Sequence, residues 1–332
     1  MTRLLDVQNL TLQFDTDEGR ITAVDNVSFT LEAGEVMGLV GESGSGKSVT
    51  AKSLMKLNPP NAIYRDETSI TLHLDDGPVE IMGLQTSKDL KVVRGGAISM
   101  IFQEPMASFA PAITIGDQMV EQLQIHTDMN AKRATEVSIE MLDRVGISDA
   151  AQRFKQYAFE LSGGMRQRAM IAMALSTKPK LLIADEPTTA LDVTIQAQVI
   201  DLMKDLVTEF GMGIIFITHD LGVIAQTADK VAVMYLGRLV EQGAVRDVIR
   251  NPAHPYTKGL IAALPSLDDL DTPLTPIPGD IPSPLERPPG CVFNTRCSAN
   301  LGARCSTEIP KFSTVSGGHS TACHLYDKEG AA

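Results

Sequence analysis

The first thirty residues combine apolar, often β-branched positions with alternating polar ones. This pattern covers Leu4–Phe14 and Ile21–Leu31, and a polar stretch, Asp15–Arg20, separates the two segments. Alternation of apolar and polar residues is typical of strands that bury one face. The pattern therefore predicts two antiparallel strands joined by a polar loop.

Further along the chain, short apolar runs alternate with helical patterns. The first run, Glu35–Val40, leads into a glycine-rich stretch. Four later runs contain few polar residues on either face, which is typical of parallel strands covered on both faces. These runs are Ala97–Phe102, Leu181–Ala184, Gly213–Thr218 and Lys230–Met234. Together they predict an α/β core built on a parallel sheet.

Two stretches differ from this core pattern. Helix formers and polar residues predominate around Ile115–His126 and Ala131–Val145, which predicts a helical insertion at about 104–160. Between Pro265 and Pro289 the chain holds eight prolines. Proline lacks the backbone N–H and has a fixed φ, so this second stretch is predicted to be a linker without regular structure.

Length and composition limit the classes of function. The chain has 332 residues, of which 43% are hydrophobic and 21% charged, as in ordinary globular proteins. We predict a main domain over residues 1–250 and a C-terminal extension over 251–332. The 41 acidic and 29 basic side chains give a formal charge of −12, which argues against a nucleic-acid partner.

The sequence shows no membrane-spanning pattern. No apolar stretch approaches the roughly 18 to 20 residues that cross a bilayer. The opening residues place Asp6 where a signal peptide needs an apolar segment. We therefore expect a cytoplasmic protein that meets the membrane through its partners.

A glycine-rich loop follows the first apolar run and precedes Ser48–Leu57, which is predicted to be helical. In such loops backbone N–H groups bind phosphate oxygens, the lysine reaches the β- and γ-phosphates, and the last hydroxyl binds Mg²⁺. A chance glycine-rich turn is the alternative, and the strand, loop and helix context disfavours it. The predicted nucleotide-binding residues here are Gly41, Ser43, Gly44, Ser45, Gly46, Lys47, Ser48 and Val49.

Two acids end a later apolar run. Asp185 and Glu186 follow Leu181–Ala184, at the carboxyl end of a predicted strand, where open α/β sheets bind ligands. Asp185 is the candidate Mg²⁺ ligand, and Glu186 is the candidate to orient or deprotonate the water that attacks the γ-phosphate. An isolated acid pair after a strand is more often a solvated loop, but the phosphate loop upstream favours nucleotide chemistry.

A third motif gives the chain a family resemblance. Leu161-Ser162-Gly163-Gly164-Met165 stands about twenty residues before the two acids. Alone, such a sequence is only a helix start. In this order and spacing the motifs resemble those of ABC ATPases over residues 1–250. The resemblance implies an α/β, P-loop NTPase fold of ABC type that hydrolyses ATP with Mg²⁺. It also implies an antiparallel β subdomain, a helical subdomain and a small cysteine-containing C-terminal extension.

The resemblance assigns roles to further residues. Phe14 matches the aromatic residue that stacks on adenine, Gln103 the glutamine that senses Mg²⁺ and the attacking water, and His219 the switch histidine. Ala190-Leu191-Asp192 matches the dimer-contact loop. Taken singly, Phe14 fits a core position, Gln103 a surface loop and His219 a helix cap.

In this family two ATPase domains pack head to tail. Ser162, Gly163 and Gly164 of one subunit would then close over the ATP held by the other. The family usually has glutamine where this chain has Met165. That side chain is not the main phosphate contact, so we expect an altered fit of the dimer rather than a loss of hydrolysis.

The C-terminal sequence resembles a narrower class, the ATPases of peptide/nickel importers. The matching parts are His254-Pro255-Tyr256-Thr257 and the stretch from Arg287 to His324. This resemblance implies import of small solutes, foremost di- or oligopeptides, at the cytoplasmic face of a bacterial inner membrane. The implied partners are a second ATPase in a heterodimer, two transmembrane permease subunits and an extracytoplasmic solute-binding protein. An ABC exporter subunit and a soluble, non-transport ABC ATPase remain the alternatives.

All four cysteines lie within 33 residues near the C-terminus, at Cys291, Cys297, Cys305 and Cys323. In a reducing compartment this clustering favours metal binding by thiolates over disulfides. The spacing lacks the paired C-x2-C steps of a zinc ribbon, so zinc is the lesser alternative. Some relatives carry a [4Fe–4S] cluster at matching cysteines, and a cluster is therefore the leading expectation, with free thiols also open.

Overall fold

Two long strands open the chain, as the alternating pattern predicts. They are β1 (Arg3–Thr16) and β2 (Gly19–Glu32), and both extend beyond their predicted ends. Arg20 Nε donates a hydrogen bond to Asp15 Oδ1 at 2.7 Å. Because this ion pair lies across the turn, strand geometry continues into the polar stretch, and only two residues connect the strands.

The structure is a computed structural model that describes residues 2–187, 193–264 and 276–327. Further strands are β3 (Val36–Val40), β4 (Ala62–Tyr64), β5 (Ser69–Leu74), β6 (Gly77–Glu80), β7 (Ile98–Ile101), β8 (Leu181–Asp185), β9 (Gly213–Thr218), β10 (Lys230–Tyr235), β11 (Arg238–Ala244), β12 (Ser313–Ser316) and β13 (His319–Thr321). The helices are α1 (Lys47–Ser53), α2 (Ser87–Val93), α3 (Pro105–Ser108), α4 (Ile115–His126), α5 (Ala131–Arg144), α6 (Ala150–Arg153), α7 (Gly163–Ser176), α8 (Val193–Phe210), α9 (Leu221–Thr227), α10 (Val245–Arg250), α11 (Pro255–Ala262) and α12 (Ala303–Thr307). Short 3-10 turns lie at Ile81–Gly83, Ala158–Glu160, Pro284–Glu286 and His324–Tyr326.

The described residues form two compact units. Those of the first unit lie within Met1–Leu5, Leu31–Glu35 and Thr71–Ile217. Those of the second lie within Asp6–Thr30, Val36–Ile70 and Thr218–Ala332.

In the first unit, β8 lies between β7 and β9 and runs parallel to both. Leu181 is opposite Ile98 on one side and Gly213 on the other. Every residue of β8 is buried. A continuous apolar run is what a parallel strand covered on both faces requires, so the predicted parallel core is found here.

Helices form the predicted insertion of the first unit. Residues 104–160, all of which the structure describes, contain no strand. Thr114 and Asn130 cap α4 and α5 by accepting hydrogen bonds from the backbone N–H groups of Asp117 and Arg133, at 3.1 Å and 2.9 Å. Helix α5 packs against α4 and α7. It buries a stripe spaced for one helix face: Ala134, Val137, Ser138, Met141 and Leu142.

In the second unit, β10 runs parallel to β3 and antiparallel to β11. The C-terminal strands continue this sheet, because β13 pairs with β11 through Glu241 and Thr321, and β12 pairs with β13. Strand β1 pairs antiparallel with β4, which places Phe14 opposite Ala62. The C-terminal region thus adds strands to the sheet of β3, and a domain boundary after residue 250 stays a prediction.

Two local features differ from the sequence prediction. Helix α1 ends at Ser53 instead of Leu57, because Lys56 adopts a left-handed φ of 50° and Pro59 follows soon after. Elements β4, β5, β6 and α2 occupy residues 58–96, where none is predicted. Asp75 and Asp76 form the turn between β5 and β6, and Gly77, with φ of 119°, begins β6. The Asp-Gly dipeptide is a hairpin signal that could have revealed these two strands.

The predicted linker is only partly described. Residues 276–289 hold one 3-10 turn and no other helix or strand, and residues 265–275 lie outside the described part. Across the three described ranges, no helix is long and apolar enough to cross a membrane.

Candidate nucleotide-binding site

The phosphate loop connects β3 to α1 in a conformation that requires glycine. Gly41, Gly44 and Gly46 have φ angles of 154°, 77° and 99°, which residues with a Cβ rarely adopt. A Cβ on Gly41 would lie 2.2 Å from the carbonyl oxygen of Met234, and one on Gly46 would lie 2.7 Å from that of Ala23. Neighbouring backbone therefore approaches too closely for any other residue at these two positions.

The ammonium group of Lys47 lies inside this loop. Its Nζ donates to the carbonyl oxygens of Gly41 at 2.7 Å and Glu42 at 3.0 Å, and lies 3.5 Å from Ser45 Oγ. The residue is only 6% exposed. Phosphate oxygens form stronger, charge-assisted bonds with an ammonium group than neutral carbonyls do. The loop therefore fits a phosphate ligand.

The first unit brings two of the predicted catalytic residues together. Gln103 Nε2 donates a hydrogen bond to Glu186 Oε2 at 3.0 Å, across 83 residues of sequence. Asp185, at the end of β8, is 4% exposed. Glu186 has a left-handed φ of 45°, and its N–H donates to the Ile217 carbonyl at 2.9 Å. Non-glycine residues held in such a conformation are concentrated at functional sites.

Sequence analysis missed a buried glutamine that links the signature helix to the acids. Gln167 lies on α7, is 3% exposed, and donates from Nε2 to the carbonyl of Pro187, the residue after Glu186. Its position two residues after the signature methionine is the only sequence signal for this role. The contact holds the carboxyl end of β8 against α7.

The signature motif begins α7. Ser162 is the N-cap, and its Oγ accepts a hydrogen bond from the Met165 N–H at 3.3 Å. Ser162 and Gly163 are exposed, and no atom lies within 4 Å of the position that a Cβ on Gly163 would take. Gly164 follows in the first turn. The N-terminal end of a 14-residue helix is thus open at the surface, with its positive dipole end uncovered in this chain.

Two further predicted residues lie in the second unit. Phe14 is half-buried near the end of β1. His219 is exposed directly after β9. The next residue, Asp220, caps α9 by accepting from the N–H groups of Gly222 and Val223, at 2.7 Å and 3.3 Å. A helix start therefore fixes the backbone that carries His219. The predicted dimer-contact residues 190–192 lie outside the described residues.

The four cysteines lie close together in the second unit. Burial raises the pKa of the Cys291 and Cys323 thiols to about 11, and it also raises the pKa of Cys297. The other three cysteines, including Cys305, add to the rise in the pKa of Cys323. All four thiols are therefore within electrostatic reach of one another, and all are free of disulfides.

The four thiols are not arranged as metal ligands in this structure. Within the described parts of the chain, no group of three or more His, Cys, Asp or Glu side chains is arranged to hold a metal ion. The thiolate, not the thiol, is the metal ligand, and the raised pKa values favour the thiol. The predicted cluster or zinc site therefore stays a proposal.

Comparison with known proteins places this geometry in a class. Residues 24–189 match the family described as ABC transporter, and residues 240–305 match the oligopeptide/dipeptide transporter, C-terminal region. A similar solved structure is the dimeric ATP-binding cassette MJ0796 in a post-hydrolysis state bound to ADP and Pi. It has a TM-score of 0.64 and 25% identity, covering 73% of this chain and 99% of that one. Fold and site thus define an ATP-binding cassette, and the predicted fold class is confirmed.

Relatives match the whole chain. The oligopeptide transport ATP-binding protein AppD of Bacillus subtilis (strain 168) is 48% identical over 331 residues, which are 100% of this chain and 99% of AppD. The dipeptide transport ATP-binding protein DppD of the same organism is 46% identical over 328 residues, which are 99% of this chain and 96% of DppD. The chain belongs to the ABC transporter family, and it is an ATPase.

Proposed function

We propose that the chain is the energy-coupling subunit of an importer of di- or oligopeptides. The observation that carries this proposal is the match of residues 240–305 to the oligopeptide/dipeptide transporter C-terminal region, together with near-complete alignment to AppD and DppD. An exporter subunit or a soluble ABC ATPase would share the nucleotide chemistry. The C-terminal region favours import over both.

In the proposed reaction, the loop N–H groups and Lys47 bind the phosphates of ATP, and Phe14 stacks on adenine. Ser48, Asp185 and Gln103 would hold Mg²⁺, which supplies positive charge to the phosphates when bound. The position of Asp185 at the carboxyl end of β8 supports this assignment, because open α/β sheets bind ligands at that edge.

Glu186 orients or deprotonates the attacking water, and His219 contacts the γ-phosphate. The hydrogen bond from Gln103 to Glu186 supports the first role. Because Gln103 donates to Glu186 Oε2, it restrains the orientation of the carboxylate that acts on the water.

A second ATPase completes the site in this proposal. Ser162, Gly163 and Gly164 close over ATP held by a non-identical partner, and the partner's signature closes over the loop described here. The exposure of Ser162 and Gly163 at the start of α7 supports this role. The ATPase pair works at the cytoplasmic face of the bacterial inner membrane with two permease subunits and, through them, an extracytoplasmic solute-binding protein.

For the cysteines, the proposal is a [4Fe–4S] cluster, with Zn²⁺ as the alternative. Its support is that the four thiols lie within electrostatic reach of one another. Four thiolates are the usual ligands of such a cluster. Anaerobic purification with iron, sulfide and zinc assays tests this idea. Protein that lacks all three and remains folded and active would refute it.

The transport function is tested by isolating the tagged chain from detergent-solubilised native membranes. We expect mass spectrometry to identify two permease subunits and a second ATPase. The isolated complex, placed in liposomes, should accumulate short peptides in an ATP-dependent manner, and the Lys47→Ala variant should not. Peptide efflux would support the exporter instead, and recovery with ribosomes or DNA without membrane partners would overturn the proposal.

A further inference from the structure

The second residue of the phosphate loop is bound by the C-terminal region. Arg296 Nη1 lies 2.7 Å from Glu42 Oε2, and Arg296 Nη2 lies 3.2 Å from Glu42 Oε1. The arginine side chain is only 4% exposed and that of Glu42 is 26% exposed. This is a bidentate, largely buried ion pair across 254 residues of sequence.

Other contacts fix the guanidinium group of Arg296 in place. Its Nε donates to the Pro278 carbonyl at 3.1 Å, and Nη2 also donates to the Ile277 carbonyl at 3.3 Å. The rings of Tyr235 and Phe293 lie 5.8 Å and 6.0 Å from the guanidinium carbon. The group therefore has one orientation, and that orientation sets the position of the Glu42 carboxylate.

The backbone of Glu42 is held on both sides as well. Its N–H donates to the hydroxyl oxygen of Tyr256 at 2.9 Å, and its carbonyl accepts from Lys47 Nζ at 3.0 Å. Tyr256 is fully buried, and its ring packs against Tyr235 and Phe293 at centroid distances of 4.7 Å and 5.4 Å. Glu42 thus joins Arg296 and Tyr256 to the lysine of the phosphate loop.

We propose that Arg296 is a positioning residue for ATP binding, through which the C-terminal region sets the affinity of the phosphate loop for nucleotide. The inference rests on the proposed role of that loop in binding ATP. Arg296 does so by holding and neutralising Glu42. Without the guanidinium, the negative charge of Glu42 stays uncompensated in the residue whose carbonyl accepts from Lys47 Nζ, so it attracts the ammonium group and repels the incoming phosphates.

A merely structural ion pair would have a different signature. Its loss would lower the stability of the fold and leave the affinity of folded protein for ATP unchanged. In the proposed role, loss of Arg296 weakens ATP binding because the negative charge of Glu42 is no longer neutralised. Neutralising that charge in the same molecule should therefore restore binding.

The test uses the complete membrane complex and compares Arg296→Met, Arg296→Lys and the double variant Glu42→Gln/Arg296→Met. Arg304→Met is the matched control, because Arg304 lies in the same region and pairs with Asp327 at 2.7 Å instead of with the loop. The readouts are KM for ATP, kcat, the Kd of a fluorescent ATP analogue and Tm.

We expect Arg296→Met to raise KM and Kd about tenfold, while kcat changes less than about twofold. Arg296→Lys should fall between wild type and Arg296→Met, since it keeps the charge but loses the bidentate geometry. The double variant should recover most of the lost affinity, and the control should bind ATP as wild type does.

Unchanged Kd in Arg296→Met, or a double variant that binds no better than the single one, would overturn the inference. The Lys47→Ala variant, measured in parallel, distinguishes failure of this inference from failure of the proposed role of the phosphate loop. If that variant still binds ATP normally, the proposed role of the loop itself is wrong.

Discussion

Glu241 offers a quantitative test of how the C-terminal region is held. The residue lies on β11 and is fully buried. Its Oε1 accepts from the Ala253 N–H at 2.7 Å and lies 2.7 Å from His319 Nε2, while Oε2 accepts from the His254 N–H at 2.8 Å. One carboxylate thus joins β11, β13 and the start of α11.

The perturbation is Glu241→Gln, which keeps the shape of the side chain. An amide has one accepting oxygen, so its NH₂ group must face one of the backbone donors. If the oxygen takes the Oε1 position, the N–H of His254 loses its partner inside the protein. A lost bond to a charged group and an unsatisfied buried donor each cost roughly 1–3 kcal/mol, and after partial relaxation we expect a destabilisation of about 2–3 kcal/mol.

Thermal and urea unfolding of the full-length chain measure this effect. For a chain of 332 residues, about 2–3 kcal/mol corresponds to a fall in Tm of roughly 3–4 °C. The matched control is Glu308→Gln, because the side chain of Glu308 is 62% exposed and pairs with Arg304 at 3.6 Å. Surface substitutions of this kind change stability by less than about 0.5 kcal/mol. A Tm for Glu241→Gln equal to that of the control would refute the reasoning.

Three further predictions concern the nucleotide site and the pH dependence of stability. Glu186→Gln should lower kcat by at least about a hundredfold while ATP binding persists, as phosphate release and nucleotide binding will reveal; near-normal turnover would contradict its role as base. Gly41→Ala should abolish ATP binding, because the new Cβ would lie 2.2 Å from the Met234 carbonyl oxygen. Gly44→Ala is the control: its Cβ has open space and adds only about 1–2 kcal/mol of backbone strain at a φ of 77°. Equal losses of ATP affinity in the two variants would argue against this reasoning. Burial lowers the pKa of His254 to about 3 in the folded state, so below its unfolded pKa of about 6.5 the unfolded chain takes up a proton that the folded chain does not. Between pH 7 and pH 5 the wild type should therefore lose about 2 kcal/mol more stability than His254→Asn, and parallel losses in urea unfolding at the two pH values would contradict the assignment.

The motifs of the nucleotide site could be predicted from sequence because each depends on neighbours along the chain. The phosphate loop needs glycine at positions whose φ is positive, and such a requirement leaves a local sequence pattern. In the same way, the buried run of β8 leads directly to Asp185 and Glu186, and Ser162 is both the signature residue and the cap of α7. The residue types at these positions follow from local backbone conformation, and in the structure these residues lie on the elements that the sequence predicted.

Contacts between distant segments could not be predicted in this way. Nothing in the local pattern around Glu42 points to Arg296, which lies 254 residues away, and nothing around Glu241 points to His319. Hydrophobic periodicity tells which face of an element is buried, but not which partner covers it. The same limit explains why β12 and β13 were absent from the predicted elements: they are four and three residues long, and their place depends on pairing that begins at β11.

Local sequence thus determined the elements that carry the predicted site residues: the phosphate loop, the paired acids and the signature helix. Tertiary structure alone decided which groups surround that chemistry. The bond from Gln103 to Glu186, the Arg296 pair with Glu42 and the meeting of four cysteines all depend on the path of the chain. The physical reason is that backbone conformation is set within a few residues, whereas a long-range contact exists only after the sheets and helices have packed.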